Sequence, residues 1–312
     1  MQAFSCLMYH NVCANGSLAA ANGEWATLSP SITSYFLEES AFEAQIAEVQ
    51  RHAELITLDR LTRFFQSPVN RQEESTQPDT RPSTLITFDD GWRGTLDLAV
   101  PVLRKYSAEA TVFITTGLLD SPGFLRGTEL HELPPQLKVG SHCKTHGFLN
   151  EMSDNQIREE LRLSKEELEQ LTGKPVNTVA IPNGAVDARV RKIALELGYE
   201  LVFTSDVQLN SRWTGPVHIG RAAIRSTTTP EQASHYAEGD FGFEPIRRMA
   251  LSLPKRVLGP HRYRRLRAWW FGENQVHKEM HDLCVSEPAV RTNLASHSTV
   301  PEKMAAEATR PY

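Results

Sequence analysis

From residue 85 onward the chain alternates short apolar runs with amphipathic stretches, and this alternation restricts its fold more than any other feature. Residues 85–88 read as a strand, 95–106 as a helix and the β-branched run 110–114 as a further strand. Residues 139–141 form another strand end. A helix opened by Ser153 and Asp154 follows, with Ile157, Leu161, Leu168 and Leu171 on one face, stopped by Gly173-Lys174-Pro175. Residues 176–181, 201–204 and 217–219 complete the strands, with a helix at 186–197 ending before Gly198. Repeated strand–helix alternation implies a mostly parallel sheet, and this number of units favours a barrel over an open sheet.

The N-terminal part fits the same pattern. Residues 4–8 read as a first strand ending in Tyr9-His10, and 11–34 as a polar surface loop. A helix carries Phe42, Ile46 and Val49, a strand spans 55–58, and a short helix spans 61–65. Residues 67–83 are polar, carry prolines and lack periodicity, so they read as an exposed, flexible insertion. The barrel is expected over 1–240, a basic helical extension over 241–285 and a disordered tail over 286–312. Between Ile246 and Trp270 the extension holds many arginines and no acidic residue, interleaved with Leu, Val and Trp. Such a segment can lie on an anionic membrane surface, or simply pack its apolar side on the barrel.

Two short motifs carry the chemistry. Thr87-Phe88-Asp89-Asp90-Gly91 puts adjacent carboxylates where a buried strand should end. Like charges this close resist joint ionisation unless a cation or proton compensates them, so the pair asks for a metal. Some fifty residues on, Ser141-His142-Cys143-Lys144-Thr145-His146 supplies two imidazoles four residues apart. One aspartate with His142 and His146 makes a mixed nitrogen and oxygen set suited to zinc or a similar divalent ion such as cobalt or nickel. Either motif alone is most often a turn or a solvated helix face. Together at strand ends they are improbable as mere structure.

Composition narrows the partners. A formal net charge of −5 gives no reason to expect nucleic acid. No run approaches the roughly 18 apolar residues of a membrane span, and Met1–Met8 lacks the basic and apolar regions of a secretion signal. The four cysteines are scattered and read as reduced thiols. A cytoplasmic protein is expected, with peripheral membrane contact through the basic extension as an option.

The chain resembles the polysaccharide deacetylase family, the NodB-homology carbohydrate esterases of family 4. The resemblance covers residues 4–226 in family order: Leu7-Met8-Tyr9-His10, the Thr-Phe-Asp-Asp-Gly motif, the His-x-x-x-His motif, Pro182-Asn183-Gly184 and a late strand near Arg221. It implies a distorted (β/α) barrel, here with a C-terminal helical extension, that removes N-acetyl groups from an N-acetylated sugar or exopolysaccharide intermediate. It also implies that Asp90, His142 and His146 bind the metal and that Asp89 is the general base. The Asn183 N–H is the expected oxyanion donor. The general acid is His10, as in a branch with an N-terminal Tyr-His pair, or His218, with His10 favoured.

The family's third motif usually has an arginine two residues before its proline, where this chain has Ala180, and an aromatic after it, where this chain has Asn183. Arg221 is the candidate to orient Asp89 instead. Cys143 replaces a small hydroxyl residue and reads as a packing residue, though also as the thiol most open to metal-catalysed oxidation. Gly147 stands where proline often follows. Trp92 and Trp213 are candidates for stacking on sugar, with a core position equally open for Trp92. Two rivals remain: hydrolysis of another non-peptide C–N bond on the same fold, and a catalytically silent glycan-binding protein, which the altered third motif would favour.

Overall fold

The structure, a computed structural model, describes residues 1–18, 25, 27–67, 81–244 and 280–285. Most of the predicted insertion, the bulk of the basic extension and the predicted tail lie outside the described residues.

The main strands run parallel. β1 (Ala3–Tyr9) pairs with β3 (Ser83–Phe88), aligning Tyr9 with Phe88. β2 (Glu54–Ile56) pairs with the first half of β3, and β4 (Ala110–Ile114) takes the same side of its second half. This handover from one neighbour to another along a single strand is one source of the barrel's distortion. β5 (Leu137–Ser141), β6 (Thr178–Ala180) and β7 (Leu201–Phe203) follow in order. Ile219 then bridges Phe203 of β7, while β8 (Ala222–Ala223) pairs with β1. The segment 219–223 therefore joins the last strand to the first and closes a distorted (β/α) barrel.

Strand residues are buried on both sides, as expected where helices cover a parallel sheet. The period of two separates them. Leu7, Ile86 and Phe88 pack outward with Phe42, Ile46 and Val49 of α1 (Glu39–His52). Phe4, Cys6, Leu85, Phe113, Phe203 and Ile219 share a separate cluster inside the barrel. α2 (Leu58–Gln66) and α3 (Val100–Lys105) lie along the chain before the longest helix, α4 (Asp154–Thr172). The α4 boundaries follow from its ends. Ser153 and Gln156 form a capping box, and Gly173 closes the helix at φ 67°, a conformation costly for residues with a Cβ. α5 (Ala188–Glu196) and α6 (Pro230–Glu238) complete the cover, and α7 (Met280–Val285) is the last described element.

Several expected boundaries move for local reasons. The strand expected at 55–58 stops at Ile56, because Thr57 accepts a hydrogen bond from Arg60 N and caps α2. β3 begins at Ser83, within the stretch read as insertion. The helix expected at 95–106 is π-helical over Thr95–Ala99 before α3. Pro101 cannot donate an N–H to the carbonyl of Asp97, so the ordinary α ladder cannot pass through it. The strand at 217–219 reduces to a bridge at Ile219.

Candidate active site

Asp89 continues the inward-facing series Leu85, Thr87, Asp89, so the period of β3 sends its carboxylate into the barrel mouth. Its backbone N–H still donates to the Tyr9 carbonyl. Asp90 would then point away. Instead it adopts φ 75°, and Gly91 follows at φ 85°. This left-handed turn brings the second carboxylate to the same mouth. Cys143, His146 and Asn183 are also left-handed, at φ 63°, 56° and 58°. Among the described residues, four of the six non-glycine residues with positive φ thus sit in three strand-end loops. Strain of this kind persists only where surrounding contacts over-determine it.

The metal-ligand geometry is compact. Ligand atoms of Asp90, His142 and His146 all lie within 4.8 Å of one another. Asp90 Oδ1 is 3.5 Å from His142 Nε2 and 3.3 Å from His146 Nε2. His142 Nδ1 donates to the Ala180 carbonyl at 2.7 Å, which leaves Nε2 deprotonated and facing Asp90. Asp90 Oδ2 accepts from the Trp92 indole at 3.0 Å, while the buried Oδ1 accepts no well-aligned hydrogen bond among the described residues. A buried carboxylate oxygen left without a donor, facing two imidazole nitrogens, fits a divalent cation.

Asp89 has a different partner. Arg221, fully buried in the closing segment, donates from Nη1 to Asp89 Oδ1 at 2.6 Å and from Nη2 to Oδ2 at 2.8 Å. Its Nε donates to the Thr204 carbonyl, and Nη1 also reaches Thr87 Oγ1. Burial pushes the Asp89 carboxyl up, but the Arg221 guanidinium and the nearby imidazoles outweigh it, and the group ends below its ordinary value. Asp90 is likewise held low: burial raises it, and His146, His10 and His142 bring it down further. Burial pushes His142 down to about 4 against the pull of Asp89.

Comparison with known proteins bears on this arrangement. The family model described as polysaccharide deacetylase matches residues 76–202. The chain is 29% identical over 140 residues to the peptidoglycan-N-acetylglucosamine deacetylase of Bacillus cereus, covering 45% of this chain and 64% of that one. It is 27% identical over 193 residues to the poly-beta-1,6-N-acetyl-D-glucosamine N-deacetylase of Staphylococcus aureus, covering 55% and 63%. A solved polysaccharide deacetylase of Bacillus cereus superposes with a TM-score of 0.59 at 27% identity, over 76% of this chain and 69% of that one. Residues 76–202 of the barrel are thus similar to the polysaccharide deacetylase family. A Streptococcus pyogenes deacetylase in complex with acetate, 21% identical, shares the fold with a TM-score of 0.61 over 76% of this chain and 98% of that one. The chain spans 54–64% of the length of the curated relatives it matches.

Within this barrel the remaining candidates fall in different places. His10, one residue past β1, lies close enough to feel both carboxylates. Burial lowers its pKa, and Asp90 and Asp89 offset part of that. Its ring packs 4.6 Å from Tyr35, which in turn lies 4.6 Å under the Arg225 guanidinium, and its buried Nδ1 has no hydrogen-bond partner among the described residues. His218 is elsewhere. Ile219 and Arg221 face inward, so His218 faces outward, half-exposed and bonded to Asp206 at 2.8 Å. In the Pro182-Asn183-Gly184 turn, the N–H groups of Gly184 and Ala185 donate within the turn, and that of Asn183 does not.

The two tryptophans do not form a sugar platform. Trp92 is 1% exposed, stacked on Phe124 and bonded to Asp90, so the core alternative holds. Trp213 is 89% exposed, but the adjoining Ser211 pairs with Ala3, at the opposite end of β1 from the site. Phe148, two residues past His146 and 37% exposed, is an exposed aromatic that the sequence reading did not single out. Its place after the second histidine was the available signal. Cys143 is fully buried against Leu149, Ile157 and Leu161, and burial pushes its thiol well above the ordinary value. The expected openness to oxidation is therefore corrected, since the reactive form is the thiolate. Tyr35 and Arg225 come from loops with no periodic pattern, and nothing in the sequence paired them with His10.

Proposed function

We propose that the protein is a metal-dependent N-deacetylase acting on an N-acetylated sugar or exopolysaccharide intermediate. The observation that carries this reading is the division of labour between the two aspartates. Asp90 faces His142 and His146 with an unspent oxygen, and Asp89 is clamped separately by Arg221. A divalent ion held by Asp90, His142 and His146 would acidify a water molecule and polarise the acetamide carbonyl.

Asp89 accepts the proton of the attacking water. Its depressed pKa makes it a weak base, suited only to a proton already made acidic. Arg221 keeps the carboxylate aimed by two charge-assisted bonds, the task that the family's usual third-motif arginine would perform. The Asn183 N–H, unused in its own turn, donates to the developing oxyanion. The C–N bond breaks, acetate leaves, and the departing sugar amine takes a proton from His10, which is resupplied by the one Asp89 accepted from water. His10 is favoured over His218 because only His10 sits beside the carboxylates. Tyr35 and Arg225 stack behind its ring and orient it.

The relatives named for N-acetylglucosamine polymers support a glycan substrate, and the partly exposed Phe148 beside the second histidine is a candidate to contact the sugar. The silent-binder alternative loses its motivation, since Arg221 makes up for the altered third motif. The cysteines are free thiols, consistent with a cytoplasmic site of action on a lipid-linked or soluble intermediate, and the basic stretch after residue 245 is suited to an anionic membrane surface. No helix among the described residues is long and apolar enough to cross a membrane.

Acetate release from a panel of N-acetylated oligosaccharides, with zinc, cobalt or nickel supplied, tests the function. Activity abolished by chelation, and by Asp89→Asn with metal retained, is the expected result. No acetate with any metal, or ring opening of cyclic amides instead, would sink the reading. Recovery of the protein outside the cytoplasm, or unchanged vesicle binding after Arg262→Glu, Arg264→Glu and Arg265→Glu, would overturn the location and the membrane contact respectively.

A further inference from the structure

We infer that Glu160 of α4 is a positioning residue for the second histidine of the metal site, holding the loop between His142 and His146 in its ligating conformation. The inference rests on the metal-site reading above. The two histidines are anchored differently. His142 follows β5 directly, and its ring is tied to the Ala180 carbonyl. His146 lies at the end of a four-residue excursion, and among the described residues no hydrogen bond fixes its Nδ1. Its place is set by the backbone of 143–146.

That backbone is strained. Cys143 and His146 both take left-handed φ values, each disfavoured for a residue with a Cβ. A relaxed loop would carry the His146 imidazole away from Asp90. Glu160 opposes relaxation from one side. Its Oε2 accepts the backbone N–H groups of Lys144 at 3.0 Å and Thr145 at 2.9 Å, and its Oε1 accepts the Thr145 hydroxyl at 2.7 Å. Two successive N–H groups converging on one carboxylate form an anion-binding nest, and the charge strengthens each bond. On the other side the Cys143 and Lys144 carbonyls accept from Thr116 N and Gly117 N. The loop is thus gripped by its donors on α4 and by its acceptors on the turn after β4.

Glu160 is itself well placed to hold. It lies between Ile157 and Leu161, both fully buried, on a helix capped at both ends. The carboxylate is therefore a fixed point, and its reach sets where His146 sits relative to Asp90. A residue of this kind acts on the metal through another side chain, and removing it should weaken metal binding without removing a ligand.

Zinc affinity, measured by competition with a chromogenic chelator, and the thermal midpoint of the metal-free protein together test this. Glu160→Ala should loosen zinc about ten- to hundredfold, approaching the loss in His146→Ala. Glu160→Gln, which keeps one acceptor but loses the charge, should lose less, and Thr145→Val, which removes only the hydroxyl bond, least. The metal-free midpoint should change little across the series. If Glu160→Ala does not fold, the Glu160→Gln and Thr145→Val results decide. Zinc affinity within about twofold of wild type in the folded Glu160 variants, or a fall in midpoint with affinity unchanged, would assign Glu160 a merely structural role. Failure of the wild-type chain to bind zinc, cobalt or nickel would overturn the metal-site reading itself, a distinct outcome.

Discussion

Asp89 and Asp90 are adjacent in the chain yet sit in different electrostatic settings, one against a guanidinium and the other against two imidazoles and an indole. Arg221→Met would leave Asp89 buried without its cation. Loss of one partner of a buried pair costs about 3–5 kcal/mol, which urea denaturation of the metal-free protein would measure. The pH dependence has a definite sign. His142 is held near 4 in the folded state against an ordinary value of 6.5, so the unfolded chain binds more protons between these values. Metal-free stability should therefore fall as pH drops from 6.5 towards 4. Asp89 and Asp90, also depressed, extend the loss to lower pH, because their stabilisation is full above the unfolded carboxylate value and is lost as pH falls through their lower folded values. Arg221→Met should flatten the lower part of this curve, since an unpartnered buried carboxyl prefers to be protonated. An unchanged acid limb would contradict the pairing. At the mouth, Phe148→Ala should raise KM for an oligosaccharide about tenfold with kcat nearly unchanged, the signature of lost uniform binding. An equal fall in kcat would place Phe148 nearer the chemistry.

At the level of elements, local rules account for most boundaries and for the loops that carry the site. The capping box of Ser153 with Gln156 and the left-handed Gly173 were legible because each satisfies orphan backbone groups in a way few residues can. Ser153→Ala should lower stability by about 1 kcal/mol in thermal or urea unfolding, with zinc affinity little changed because Glu160 lies well past the first turn. The Thr57 cap was harder to read, since a threonine after Leu55-Ile56 fits a strand equally well, whereas Pro101, midway along the expected 95–106 helix, was an available signal for the π-turn before it. Of the site, both metal motifs could be read directly. His142 and His146 fall outside any regular helix: the first directly follows β5 and the second ends a strained loop. Their spacing alone could not distinguish that from a solvated helix face.

Across the whole molecule, closure of the barrel assembles the site. The segment 219–223 joins β7 to β1, and by facing inward it delivers Arg221 to an aspartate 132 residues away in sequence. The same closure turns His218 out to Asp206. Metal should be linked to the stability of this assembled form. Zinc at a hundred times its dissociation constant should add about 2.7 kcal/mol to unfolding, reversed by chelator. Asp90→Asn and His142→Ala should abolish the gain. A thermal midpoint indifferent to zinc, cobalt and nickel would argue against the site as a metal centre.

Strand–helix periodicity specified a parallel barrel on its own, because burial of alternate residues is a local demand that every strand repeats. The Asp-Asp-Gly and His-x-x-x-His motifs likewise marked a candidate metal site, since adjacent carboxylates at a buried strand end have few other tolerable states. Partnership was left to tertiary structure. Whether an aromatic meets solvent, which late residue aims Asp89 and which histidine reaches the mouth depend on inward or outward facing at strand ends. Those orientations turn on single-residue registers and on left-handed turns, and the contacts that settle them come from distant parts of the chain.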